Sequence, residues 1–250
     1  MNLKKIQILS APRMGTTVLH RVLSQINWDS ESKTNQHSAE ILNNAEETTT
    51  ELEYIKRIND ILQSNCYTIK IQMTDLRWIE GVHSNVLDLY RSTTHDSFNI
   101  LLIRKNLIDT IMSYVIANTT QRWTLPKELD QPCTISEHLI HSATETCILN
   151  LNNMLWNRFD IKYSKVMFYE DHIMNKTPFQ IYKTAGLPVD DRTESILQSS
   201  MFPQKNISKK LEVSNYDQSI DIIKRSIMHW NRIRRFEMVD YVVQLPWGLA

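Results

Sequence analysis

Six residues near the amino terminus, Pro12-Arg13-Met14-Gly15-Thr16-Thr17, bring together a cation, a glycine and two hydroxyls. They directly follow an apolar run, Ile6–Ser10, that reads as a strand. Behind them Val18, Leu19, Val22, Leu23 and Ile26 recur at helical spacing. A strand-to-helix turn of this kind offers an anion the unbonded N–H groups of the helix start and the positive end of its dipole. Arg13 adds charge, Thr16 and Thr17 add donors, and Met14 and Gly15 supply backbone. The chain has only 4 glycines in 250 residues, where average usage of about 7% would give roughly 17. A glycine placed in this turn therefore marks a backbone requirement.

The spacing invites comparison with the nucleotide-binding pattern GxxxxGK[ST], whose lysine reaches the β- and γ-phosphates. Here Ser10 stands at the first glycine, Thr16 at the lysine, and Thr17 keeps the hydroxyl. Without that lysine a nucleoside triphosphatase loses its main γ-phosphate contact, so the turn must suit another anion. A second cation, Lys70, interrupts the apolar strand Tyr67-Thr68-Ile69-Lys70-Ile71. It is placed to contact a transferring group or to neutralise a pocket.

The turn resembles the 5′-phosphosulfate loop of sulfotransferases that use 3′-phosphoadenosine 5′-phosphosulfate (PAPS), Pro-(Lys/Arg)-(Ser/Thr)-Gly-Thr-Thr. Met14 departs from the small polar residue of that pattern. Three later segments follow in the family's order. Asn99–Leu107, running on to Ser113-Tyr114, resembles the 3′-phosphate site, where a strand ends in Arg and a Ser lies two turns into the next helix. The resemblance implies Arg104 and Ser113 as ligands of that phosphate, with Lys105 the alternative to Arg104 because it lies eight residues before Ser113. Lys165–Asp171 resembles the family's Tyr-Glu-Asp strand end, which implies Tyr169 near the adenine. Lys205-Asn206-Ile207-Ser208-Lys209-Lys210 resembles the late basic loop over the nucleotide, which implies Lys205 and Lys209 as ligands.

The same resemblance implies an in-line sulfuryl transfer to a hydroxyl or amine acceptor, with Arg13 stabilising charge on the leaving phosphate and no metal needed. A general base must take the acceptor's proton. Where one branch of the family has a His two residues after a strand Lys, this chain has Gln72 after Lys70. Ser38-Ala39-Glu40-Ile41-Leu42-Asn43 is similar to the segment that carries a Glu base in another branch. Glu40 is the candidate base; His37, whose side-chain type titrates near neutrality, and Glu31 are its rivals.

Those residues need elements to position them. Four buried-strand runs, Ile6–Ser10, Tyr67–Met73, Asn99–Ile103 and Lys165–Tyr169, alternate with helical periodicity. The stripes run through Leu107–Ile116, from Ile135 to Leu155, and through Ile220, Ile223, Ile227 and Trp230. Alternation of this kind predicts an α/β domain over 1–250 with a central parallel sheet flanked by helices. The resemblance makes it a P-loop-NTPase-like sulfotransferase fold. Gly186, before Leu187-Pro188, reads as a helix stop, and Gly81 as a break between two helices.

Composition narrows the function classes. Hydrophobic residues are 42% and charged residues 22%, and 28 Lys+Arg balance 28 Asp+Glu. Zero net charge and no recognition motif argue against a nucleic-acid partner. No apolar run approaches membrane-spanning length, and Met1–Lys5 does not open a signal peptide, so the expectation is a soluble, cytoplasmic protein. Cys66, Cys133 and Cys147 have no metal-site or disulfide spacing. His138-x-x-His141 reads as a surface pair. The stretch Asn118–Ser136, with Trp123, Leu125 and Pro126, is the candidate acceptor lid. A nucleotide kinase with a degenerate loop and a catalytically silent nucleotide-binding protein are the competing readings. The acceptor, whether small molecule or glycan, and the oligomeric state are left open by the sequence.

Overall fold

Ile6, Ile8 and Leu9 give Lys5–Ser10 the apolar content of a strand, with Gln7 a polar residue among them. In a computed structural model this segment is strand β1, and Ile6 through Ser10 are all buried. The structure describes residues 5–25, 42, 50–64, 67–121, 131–155, 157–199 and 209–233. In chain order its elements are β1 (Lys5–Ser10), α1 (Thr16–Ser24), α2 (Glu51–Gln63), β2 (Tyr67–Gln72), α3 (Met73–Val82), α4 (Ser84–Thr94) and β3 (Phe98–Ile103). There follow α5 (Leu107–Thr120), α6 (Glu137–Leu155), β4 (Lys165–Phe168), α7 (Tyr169–His172), α8 (Pro178–Ala185), α9 (Asp191–Ser199), α10 (Lys209–Glu212) and α11 (Tyr216–Ile233). The chain forms two compact units, one from 1–103 with 153–204 and one from 104–152 with 205–250. Among the described residues no helix is long and apolar enough to cross a membrane.

The first unit holds a four-stranded, all-parallel sheet in the order β2-β1-β3-β4, flanked by helices. The strands fall within a residue of their predicted ends, Met73 and Tyr169 each starting a helix instead of ending a strand. Ser10 sits opposite both Gln72 of β2 and Leu102 of β3, and Ile103 opposite Phe168 of β4, so all four carboxyl ends lie at one edge. From β1 the chain goes first to a neighbour on one side, β2, and then to one on the other, β3. That reversal makes the carboxyl end of β1 the switch point, where open parallel sheets bind ligands.

Ile6, Ile8, Ile100, Leu102 and Met167 of the sheet bury against Leu19, Val22 and Leu23 of α1 and Ile181, Tyr182 and Ala185 of α8. Gly186 terminates α8 in the left-handed region, as the sequence predicts (φ 81°). Gly81 does not act as a break. It lies in the last turn of α3 with open space around it, and the break falls at His83, whose φ of −139° and ψ of 67° leave helical space.

In the second unit Ile111, Met112 and Val115 of α5 pack with Ile140, Ala143, Cys147 and Ile148 of α6 and Ile222, Ile223 and Ile227 of α11. The three stripes read from the sequence thus meet in one core. A short parallel bridge between Cys133 and Val213 ties the segment before α6 to the one before α11. Cys133 and Cys147 are free thiols. Burial pushes Cys147 up to about 12, which makes it an inert core residue and not a nucleophile.

One polar side chain is set in the middle of β1. Gln7 is fully buried, its Nε2 within hydrogen-bond range of Thr93 Oγ1 (2.9 Å), Ser97 Oγ (3.0 Å) and Tyr67 OH (3.3 Å). Its Oε1 accepts from Tyr90 OH at 2.9 Å. Burial raises the Tyr90 phenol well above its ordinary range, so it remains a donor. The amide is the hub that lets α4 lie against the sheet without orphaned hydroxyls. Gln7→Leu should therefore cost about 1–3 kcal/mol, read as a lower urea midpoint with an unchanged slope.

Candidate functional site

At the switch point the chain turns from Ser10 to Thr16 through two left-handed residues, Arg13 (φ 66°) and Gly15 (φ 84°). For Gly15 that region carries no steric penalty; for Arg13 it does. Strained backbone of this kind clusters at functional sites. Gly15, left-handed with ψ 16°, is followed by right-handed Thr16. Adjacent N–H groups in such an alternation converge into a concavity that binds anions. Helix α1 opens with no side-chain cap and no acidic residue in its first turn. Its first bonds, Val18 N–H and Leu19 N–H to Gly15 O, begin beyond Thr16 and Thr17. Nothing in its first turn therefore competes with an incoming negative charge through side-chain capping.

Met14, where the resemblance has a small polar residue, is buried at 1% exposure. Its side chain fills core, and what it offers an anion is backbone. Thr17 is exposed, while Thr16 and Arg13 are half-buried. One residue was passed over by sequence reasoning except as a missing glycine. Ser10 is fully buried, its hydroxyl has no hydrogen-bond partner among the described residues, and it is the last strand residue before the turn. By strand alternation it shares the face of Ile6 and Ile8, the face that α1 covers.

Tyr169, expected near adenine from the resemblance, leaves β4 at the same edge of the sheet, and its ring lies against Gly15. A β-carbon at Gly15 would overlap Cδ2 and Cε2 of that ring. Gly15 is thus demanded twice, by backbone angle and by the close approach of an aromatic ring. Lys70 stands half-buried on β2, opposite Ile8 of β1 and two residues before the strand ends. Its neighbours Ile69 and Ile71 point the other way into the core.

The second unit carries the other expected anion ligands. Asn106 caps α5, its Oδ1 accepting from Asp109 N–H at 2.9 Å, and this sets Asp109 in the first turn, where the helix dipole favours a carboxylate. Arg104 Nη2 donates to Asp109 Oδ2, and Lys209 Nζ donates to Asp109 Oδ1. Lys209 Nζ also donates to the backbone carbonyl of Asp109 at 2.9 Å. The three side chains are 16%, 28% and 20% exposed for Arg104, Asp109 and Lys209. Two cations drawn to one carboxylate repel each other. The carboxylate between them offsets that repulsion. Ser113 is buried one turn further along α5, four residues from Asp109 and so on its face of the helix.

Arg104 and Lys209, which the sequence offers as separate ligands, therefore share a counter-ion. Lys105 lies half-buried beside Arg104 in the chain. Glu31, His37, Glu40, Lys205, Trp123, Leu125 and Pro126 lie outside the described residues. His138 and His141 are exposed on α6, as read, though His141 Nδ1 also meets Ser226 Oγ of α11 at 2.7 Å. No protein-family model matches the chain, and no curated protein matches it.

The double demand on Gly15 is measurable. Gly15→Ala should lower stability by about 1–2 kcal/mol from backbone alone, with a further loss from the ring overlap. Made in a Tyr169→Ala background, the same change should cost only the backbone part, as a double-mutant cycle of thermal midpoints would show.

Proposed function

We propose that this chain is a PAPS-dependent sulfotransferase with a P-loop-like fold, transferring a sulfuryl group to a hydroxyl or amine acceptor. The observation that carries the reading is the Arg13–Thr17 turn. It is an uncapped helix start with a left-handed glycine and a cation, set at the switch point of a parallel sheet and lacking the lysine of triphosphate sites. The match of the turn and three later segments to the sulfotransferase order then selects phosphosulfate among anions.

In this mechanism the turn's N–H groups, Arg13 and the hydroxyls of Thr16 and Thr17 bind the 5′-phosphosulfate. The acceptor oxygen or nitrogen attacks sulfur in line, the bond from sulfur to the phosphate oxygen breaks, and adenosine 3′,5′-bisphosphate leaves. Glu40 takes the acceptor's proton, with His37 and Glu31 as its rivals. Lys70 meets the charge of the transferring group. The negative charge that grows on the departing phosphate is stabilised by donors already in place, which is where electrostatic catalysis acts. Arg104, Ser113 and Lys209 hold the 3′-phosphate, and Tyr169 shapes the floor of the turn.

Calorimetric titration tests this without knowing the acceptor. Adenosine 3′,5′-bisphosphate should bind without magnesium and more tightly than ATP, and Arg13→Ala should weaken binding. In a transfer assay Arg13→Ala should lower the rate on the order of 10²-fold or more. A preference for ATP with magnesium would overturn the reading in favour of a nucleotide kinase. Binding of the bisphosphate with no transfer to any of a broad acceptor panel would favour a silent nucleotide-binding protein.

A further inference from the structure

Asp109 matches none of the residues that the sulfotransferase resemblance assigns to the nucleotide, yet it is the point on which Arg104 and Lys209 converge. The two cations are 105 positions apart in the chain, and one of them opens the four-residue helix α10. Such a helix has little stability of its own, so what holds Lys209 in place is tertiary. Its ammonium donates to both the carboxylate and the carbonyl of Asp109. Asp109 is itself anchored, because the Asn106 cap fixes its backbone at the start of α5. The carboxylate is therefore the fixed partner, and the long basic side chains are brought to it.

We propose that Asp109 is a positioning residue that pre-assembles Arg104 and Lys209 into one phosphate-monoester subsite. This rests on the reading that these cations take the donor's 3′-phosphate. A carboxylate between two cations cancels their mutual repulsion and leaves the trio with one net positive charge, so the subsite is gathered before its ligand arrives. Gathering flexible lysine and arginine side chains in advance removes an ordering cost from binding. Neutralising Asp109 leaves two like charges facing each other and loosens the Lys209 side chain. Asp109 thus acts through its neighbours and not by touching the nucleotide.

The experiment compares the full-length wild type with Asp109→Asn and Asp109→Glu in two readouts. The first is acetylation of Lys209 by an activated ester, followed by peptide mass spectrometry. The second is the ratio of affinities for adenosine 3′,5′-bisphosphate and adenosine 5′-monophosphate, which isolates the 3′-phosphate. Asp109→Asn should make Lys209 several-fold more reactive. It should also reduce the 3′-phosphate preference on the order of tenfold while leaving monophosphate affinity unchanged. Asp109→Glu, which keeps the charge, should stay nearer wild type in both. Unchanged Lys209 reactivity, or a 3′-phosphate preference that holds or rises in Asp109→Asn, would overturn the proposal. If wild type itself shows no 3′-phosphate preference, the donor reading fails, and Lys209 reactivity then decides separately whether Asp109 gathers the pair.

Discussion

Strand β1 is hydrogen-bonded on both sides, to β2 and to β3, and everything else in the first unit is built on that constraint. Both of its faces are covered, so its buried residues are apolar or, like Gln7, hydrogen-bonded, with the terminal Ser10 hydroxyl as the exception. Because its two partners are parallel to it, all carboxyl ends meet at one edge. Because the chain visits them in opposite directions, the carboxyl end of β1 is the switch point of the sheet. The turn from Arg13 to Thr17 follows that end directly. Its left-handed residues and its helix start without a side-chain cap lie at that edge of the sheet.

Around the turn the packing is close enough to remove freedom. The Tyr169 ring against Gly15 excludes any side chain there, and Met14 is drawn into core. The loop's shape is thus held from behind by apolar contacts, and its open side is left to backbone donors, Arg13 and hydroxyls. That division suits a site whose chemistry is positioning and charge stabilisation, since preorganised dipoles act only if they do not relax. In the second unit the same economy appears in ionic form. Asp109 offsets the repulsion of two cations, and a cap on α5 fixes the backbone of that residue.

The strands and the turn were legible because their signals are local. Runs such as Asn-Ile-Leu-Leu-Ile need no partner to be recognised, and scarcity of glycine makes Gly15 conspicuous. Helix α2 was not read, although Thr50 and Glu53 form a capping box with Thr50 N–H to Glu53 Oε2 at 2.7 Å. The Thr-x-x-Glu spacing was the available signal. Gly81 was read as a break because glycine is a poor helix residue, but the helix continues past it and ends at His83 for backbone reasons that composition does not carry. The Ser10 hydroxyl was invisible as a feature, since a serine is an ordinary strand-end residue until burial deprives it of a partner.

By itself the sequence determined the α/β class, the four strands to within a residue and the turn with its arginine, glycine and two hydroxyls, all of which follow from short-range periodicity and residue type. It also supplied Arg104 and Lys209, through the resemblance, as separate ligands of one nucleotide, without joining them to each other. Tertiary structure alone decided the order β2-β1-β3-β4, and with it the switch point, because strand pairing is set by crossovers that carry no local mark. It alone put Tyr169 on Gly15, a contact across 154 positions. It alone joined Arg104 to Lys209 through Asp109, because a counter-ion is a matter of distance in space, and spacing along a chain does not encode it.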